Sequence, residues 1–135
     1  MIELADAPDP VRRLVRWLNE RGLEIATEQT GGRFNQHAVW VGGSIRVELT
    51  QDRGVWSVAV GSPTMSATYH PDEFEAWIDG FPLAGDLSDL DHQVEFITER
   101  WAEVEAALQL SGDAEGALRA IGQDYVRRRF GEPGA

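Results

Sequence analysis

The chain contains no cysteine and no lysine among its 135 residues. The first absence excludes disulfides and thiolate metal sites and fits a reducing compartment. The second leaves all 12 basic residues as arginine, read here as the coding bias of a high-GC bacterial genome rather than as chemistry. Basic charge is itself scarce. Set against 23 acidic residues, it leaves a net charge of −11. A phosphate backbone needs a positive surface, so nucleic acid is not an expected partner. Long apolar runs are lacking too. No stretch approaches the ~20 consecutive apolar residues of a membrane span. The opening MIELADAPDP is acidic and has no apolar core, so no secretory signal is expected. The expected location is the cytoplasm, away from any membrane.

What is present suits a single domain over residues 1–135. A chain of this size buries roughly two-thirds of its unfolded surface. The apolar fraction of 42% is ordinary for a globular protein,. Five tryptophans are many for this length, and each wants a large packed environment. The charge is uneven: residues 1–60 carry a net −1, residues 61–109 a net −10 and residues 110–135 a net of zero.

Asp9-Pro10 predicts a helix over about 10–21, with Asp9 as N-cap and Pro10 at the first helical position,. Val11, Leu14, Val15 and Leu18 recur at helical spacing, and Gly22 is the expected residue just past its end,. LEIATEQT at 23–30 alternates and predicts a strand, followed by strands at 37–41, 44–50 and 55–60,. Gly42-Gly43 predicts a tight hairpin pairing Trp40 with Ile45 and Ala38 with Val47,. A turn around Asp52-Arg53 then pairs Leu49 with Trp56, Val47 with Val58 and Ile45 with Val60. Paired residues share a face. Ala38, Trp40, Ile45, Val47, Leu49, Trp56, Val58 and Val60 therefore form the expected core face, with a mixed face opposite.

The second half reads as helical. His70-Pro71-Asp72-Glu73 opens a short helix with Phe74, Trp77 and Ile78 on its apolar side, and Gly80 stops it,. Ser88 is the expected cap of a long helix, with Asp91 in the capping-box position,. Leu90, Val94, Ile97, Trp101, Val104 and Leu108 make one continuous stripe that Gly112 ends,. A last helix over about 113–129 buries Leu118 and Ile121, with Tyr125 on the same side, and Gly131 and Pro133 close it. The expected fold is α+β: an antiparallel four-stranded meander with an N-terminal helix and three C-terminal helices packed on it.

One pattern asks for a reason. Asp91, Glu95, Glu99 and Glu103 stand four residues apart, opposite the apolar stripe,. Like charges so placed weaken a helix by roughly 0.2–0.5 kcal/mol per pair, about 1 kcal/mol for three pairs. A solvated face that keeps the protein soluble is one reading. A partner-binding face is the other. It is favoured by the single sign of the charge, which Arg100 alone interrupts between residues 61 and 109. Such a field steers a basic partner. The candidate contact residues are Asp91, Glu95, Glu99 and Glu103, with Asp72 and Glu75 from the preceding helix.

Catalytic signals are absent. His37, His70 and His92 show no HExxH spacing, and no nucleophile elbow, Walker loop or dinucleotide-binding glycine pattern occurs,. Asp86, Asp89 and Asp91 lack the spacing and glycine of an EF-hand loop,. No catalytic residue, metal or cofactor is expected. Paired-carboxylate chemistry stays open in any acidic protein, but these acids look outward along a ridge.

Three stretches, DRGVWSVAVGSP at 52–63, LDHQVEFITERWAEVEAAL at 90–108 and LRAIGQDYVRRRFG at 118–131, together resemble small actinobacterial immunity proteins of polymorphic toxin systems. The resemblance spans roughly residues 45–131 and rests on structural motifs. It implies a cytoplasmic inhibitor that binds one cognate toxin domain, and it carries over no catalytic residue. A toxin with a basic active site would match the acidic ridge. Two other readings fit the same residues: a small acidic chaperone of exported effectors, binding by strand addition at the sheet edge, and an enzyme whose site carries no recognisable motif.

Overall fold

The computed structural model describes residues 2–32 and 34–131. Helix α1 (Asp9–Glu20) begins one residue earlier than expected. Pro8, not Asp9, is the N-cap, and its carbonyl accepts the first turn's amides from Val11 at 3.0 Å and Arg12 at 3.2 Å. The Asp9 carboxylate turns instead to Arg12. The other end is as expected: Gly22 adopts φ +82°, and the amides of Gly22 and Leu23 return to Asn19 and Leu18. This pair of bonds caps the open carbonyls and points the chain into the sheet.

Strands β1 (Glu24–Thr30), β2 (Gln36–Gly42), β3 (Ile45–Asp52) and β4 (Val55–Gly61) form one antiparallel sheet in sequential order. The register differs from the expected one by a constant step. Trp40 pairs with Val47 and Ala38 with Leu49, because the chain turns at Gly43-Ser44 rather than at Gly42-Gly43. Leu49 likewise pairs with Val58, because the next turn is Arg53-Gly54, with φ of +51° and +86°. Moving a two-residue turn by one position shifts each partner by two, and two steps return a side chain to the same face. The core face therefore survives: all eight expected residues are buried. Trp40 lies at its centre, 1% exposed, and satisfies its indole N–H on Asn19 Oδ1 at 3.1 Å.

Among the described residues four helices follow, not three: α2 (Pro71–Asp79), α3 (Leu90–Glu99), α4 (Trp101–Leu110) and α5 (Ala114–Phe130). The expected long helix is broken at Arg100, whose φ of −114° and ψ of +23° leave the helical region. No glycine or proline marks the break. Two residues earlier, the Thr98 hydroxyl donates to the Val94 carbonyl at 2.9 Å, and such back-bonding bends helices. The apolar stripe continues across the break, with Val94, Ile97, Trp101 and Val104 buried. The cap of α3 is Asp89, which accepts the His92 amide at 3.0 Å; Ser88 is spent elsewhere, and Asp91 leaves the capping-box position.

Helices α1 and α3 pack on each other above the core face, α2 leans on α3 and α4, and α5 lies outermost against α2. Trp17 of α1 meets Trp101 of α4 edge to face at 5.0 Å, with the Arg21 guanidinium 4.8 Å from the Trp17 ring. Leu14 and Leu18 are fully buried beneath, and truncating either to alanine costs about 2–5 kcal/mol. In α5 Leu118 is fully buried, while Ile121 and Tyr125 are half-buried. Gly131, at φ +82°, ends this helix; Pro133 lies outside the described residues. Among the described residues no helix is long and apolar enough to cross a membrane.

Candidate functional site

The acidic surface is built from three helices, and the structure sorts its acids into two groups. The first group holds the fold. Asp72 is one of them: it is 7% exposed, and its carboxylate accepts the Ser88 amide at 2.6 Å and the Ser88 hydroxyl. It ties the start of α2 to the segment entering α3. The reason lies in position. Asp72 sits in the first turn of α2, against the oncoming loop, where helix periodicity alone does not show which face is covered.

Glu75 is half-buried and engaged by neighbouring side chains. Its carboxylate lies 2.9 Å from His92 Nε2 and 3.9 Å from an Arg100 nitrogen. The hydrogen bond to Glu75 pushes the His92 pKa up, with the charges of Asp72 and Glu95 acting in the same direction. His70 behaves oppositely. Burial pushes its pKa down, and its Nδ1 accepts the Asp72 amide at 3.0 Å, which requires that nitrogen to be unprotonated. The Glu73 carboxylate in turn accepts the His70 amide, completing a capping box at the head of α2.

Arg100 is the pivot. Its guanidinium holds Asp79 through two bonds at 2.8 and 2.5 Å and reaches Glu103, while lying 5.3 Å from the Phe96 ring centre. These carboxylates drive its pKa upward, and the same bonds hold the Asp79 carboxyl below its ordinary value. The sole base of the acidic segment thus fastens the end of α2 to the α3–α4 junction. A two-pronged guanidinium–carboxylate pair fixes geometry as well as charge.

The second group faces water. Asp91, Glu95 and Glu99 are exposed along α3, and Glu103 follows on α4 with its side chain 55% exposed. Asp91 has a long contact of 3.4 Å to Arg13, between side chains 71% and 54% exposed; a pair of that kind contributes little, of order 0–1 kcal/mol. Glu95 and Glu99 make no ion pair among the described residues. Of the six candidate contacts, then, Asp91, Glu95 and Glu99 form an outward face on α3. Glu103 flanks it while engaged by Arg100, Asp72 is buried, and Glu75 is half-buried against His92 and Arg100.

Asp72, Glu75 and His92 also lie together, with one ligating atom from each within 4.8 Å of the others. Two carboxylates and an imidazole are a donor set for a divalent cation. In this arrangement Ser88 occupies the Asp72 carboxylate and Glu75 the His92 nitrogen, so a cation would compete with bonds already made.

Sequence reasoning missed the pairing of His92 with Glu75 and of Arg100 with Asp79. A signal existed for the second, since Arg100 stands alone among eleven acids. Its partner on another helix lay beyond any local pattern. The chain matches no protein-family model, no curated protein and no solved structure with which it was compared.

Proposed function

We propose that this protein is a stoichiometric inhibitor of the immunity type, which captures a basic surface of a toxin domain on the outward acids of α3. The observation that carries this reading is the division of labour among the acids. The one base of residues 61–109 is turned onto Asp79 and Glu103. Glu95 and Glu99 form no ion pair among the described residues, beside a weakly held Asp91; Glu95 acts on His92 only at a distance. The segment keeps its net −10 and presents part of it on one rigid helix. A face of one sign raises encounter rates with a basic partner and makes association salt-dependent.

The test has two stages. Tagged protein is used to capture partners from its own organism at low and high salt, and the bound chain is identified by mass. That chain is then co-expressed with the native protein or with a Glu95→Lys, Glu99→Lys variant, and growth is scored. Toxicity relieved by the native protein and not by a folded variant is the expected result. Equal relief by both excludes α3 as the contact.

A second reading rests on a different observation. Strand β1 stands at the sheet edge and is exposed along nearly its whole length. An edge of this kind accepts an added strand, as a chaperone of an extended client segment would require. Clients that bind as extended segments and protect the amides of β1 from hydrogen exchange would favour it over the inhibitor reading.

A further inference from the structure

A cavity of about 750 Å³ opens between α2, α5 and the segment that joins α2 to α3. That volume is in the range of small-molecule sites. Its walls are largely apolar: Leu83 and Leu87 on the joining segment, Tyr125 and Val126 on α5. Leu87 and Val126 are 44% and 45% exposed, so the molecule keeps two large apolar side chains uncovered there. The walls are held in place. The Tyr125 hydroxyl donates to the Gly85 carbonyl at 3.1 Å, Arg129 donates to the same carbonyl at 2.7 Å, and Arg129 also pairs with Asp86.

The polar side chains on the cavity wall include Tyr69, Glu73, Arg119, Gln123 and Arg127. Arg127 has a carboxylate partner in Asp124, as the neighbouring Arg128 and Arg129 have in Asp124 and Asp86. Arg119, also on the cavity wall, forms no ion pair among the described residues; its charge acts on Tyr69, whose pKa it draws down against the larger effects of burial and Glu115. Glu115, one turn before it, is turned away to Ser66, the Ala67 amide and Tyr69. Glu73 shares the wall, with a carboxyl pKa raised chiefly by burial.

We propose that the cavity between α2 and α5 is a binding site for a small organic anion with an apolar body, an aliphatic or aromatic acid. Its acid group meets Arg119, and its body lies between Leu83, Leu87 and Val126. This goes beyond the inhibitor reading and stands on other residues. Arg119 supplies the charge, because it is the cavity's arginine without a carboxylate partner among the described residues. The apolar walls supply the area, and the ties to Gly85 and Asp86 give a site formed before the ligand arrives, which lowers the ordering cost of binding.

The test is a fluorescence titration of the full chain with 1-anilinonaphthalene-8-sulfonate, and with its uncharged analogue N-phenyl-1-naphthylamine. Near-ultraviolet circular dichroism confirms the native state throughout. Saturable one-to-one binding is expected, with the anion preferred. Arg119→Gln should weaken the anion roughly tenfold, the loss expected for one hydrogen bond to a charged group, and leave the neutral analogue unchanged. Leu87→Asp should weaken both. Both residues are exposed, so neither change threatens folding. Binding that fails to saturate, or that ignores both substitutions, overturns the proposal. Glu95→Lys should leave both titrations untouched, so failure here and failure of the inhibitor reading are separate results.

Discussion

His70 and His92 titrate against opposite surroundings, and their effects on stability have opposite signs. The His92 pKa is raised by Glu75. Its stabilisation is therefore fully present below the unfolded value of about 6.5 and is lost as pH climbs through the higher folded value. The His70 pKa is lowered by burial. Folding there favours the neutral ring, so stability falls as pH drops from about 6.5 towards the lower folded value. The two losses flank a maximum near neutrality. Thermal midpoints measured from about pH 5 to 9 should show it. His92→Gln should flatten the alkaline limb and leave the acid one. His70→Asn, which keeps a capping side chain, should do the reverse. Equal limbs in all three proteins would remove both assignments. The His92 pairing was not legible in the sequence, because Glu75 and His92 lie on different helices and meet only through the packing of α2 on α3.

At the scale of elements, much was legible, and for identifiable reasons. The alternation of Ile45, Val47 and Leu49 with Arg46 and Glu48 fixes which face of the sheet is buried. The exact register depends on the turn, and Gly42-Gly43 offered two places to turn. Only Gly43 takes positive φ there, at +57°. The break at Arg100 was illegible because no glycine or proline marks it; the Thr98 hydroxyl bond to the Val94 carbonyl, which favours a bend, is no sequence punctuation,. A glycine inside α5 also hid its reason. Gly122 stands mid-helix, where glycine costs about 0.5–1 kcal/mol relative to alanine. A β-carbon there would lie 2.8 Å from Glu73 Oε2, so its absence lets the α2 carboxylate close against α5. Gly122→Ala should thus show its full helix gain only when Glu73 is also changed to alanine. In the native background Glu73 must swing away, and its bond to the His70 amide weakens. A double-mutant cycle by urea unfolding measures this as a coupling of roughly 0.5–1 kcal/mol. A coupling of zero would mean that α2 and α5 do not meet at this point.

For the molecule as a whole, charge sets stability against association. The acids of α3 repel one another at four-residue spacing, and Asp91–Glu95 and Glu95–Glu99 are two such pairs on one helix. Glu95→Lys turns both from repulsive to attractive, a gain of roughly 1 kcal/mol by the measured range for such pairs. The variant should therefore unfold at higher urea than the native protein, most clearly at low salt, where screening is weakest. The inhibitor reading adds a second expectation: the same variant should bind the captured toxin domain more weakly and with a shallower salt dependence. Stability and binding would then move in opposite directions on one substitution, as at other functional surfaces that retain unfavourable charge. A variant that gains stability and keeps its affinity would make the ridge a solvated face and nothing more. A variant that gains no stability would show that the helix break at Arg100 and the contact of Asp91 with Arg13 have already relieved the repulsion.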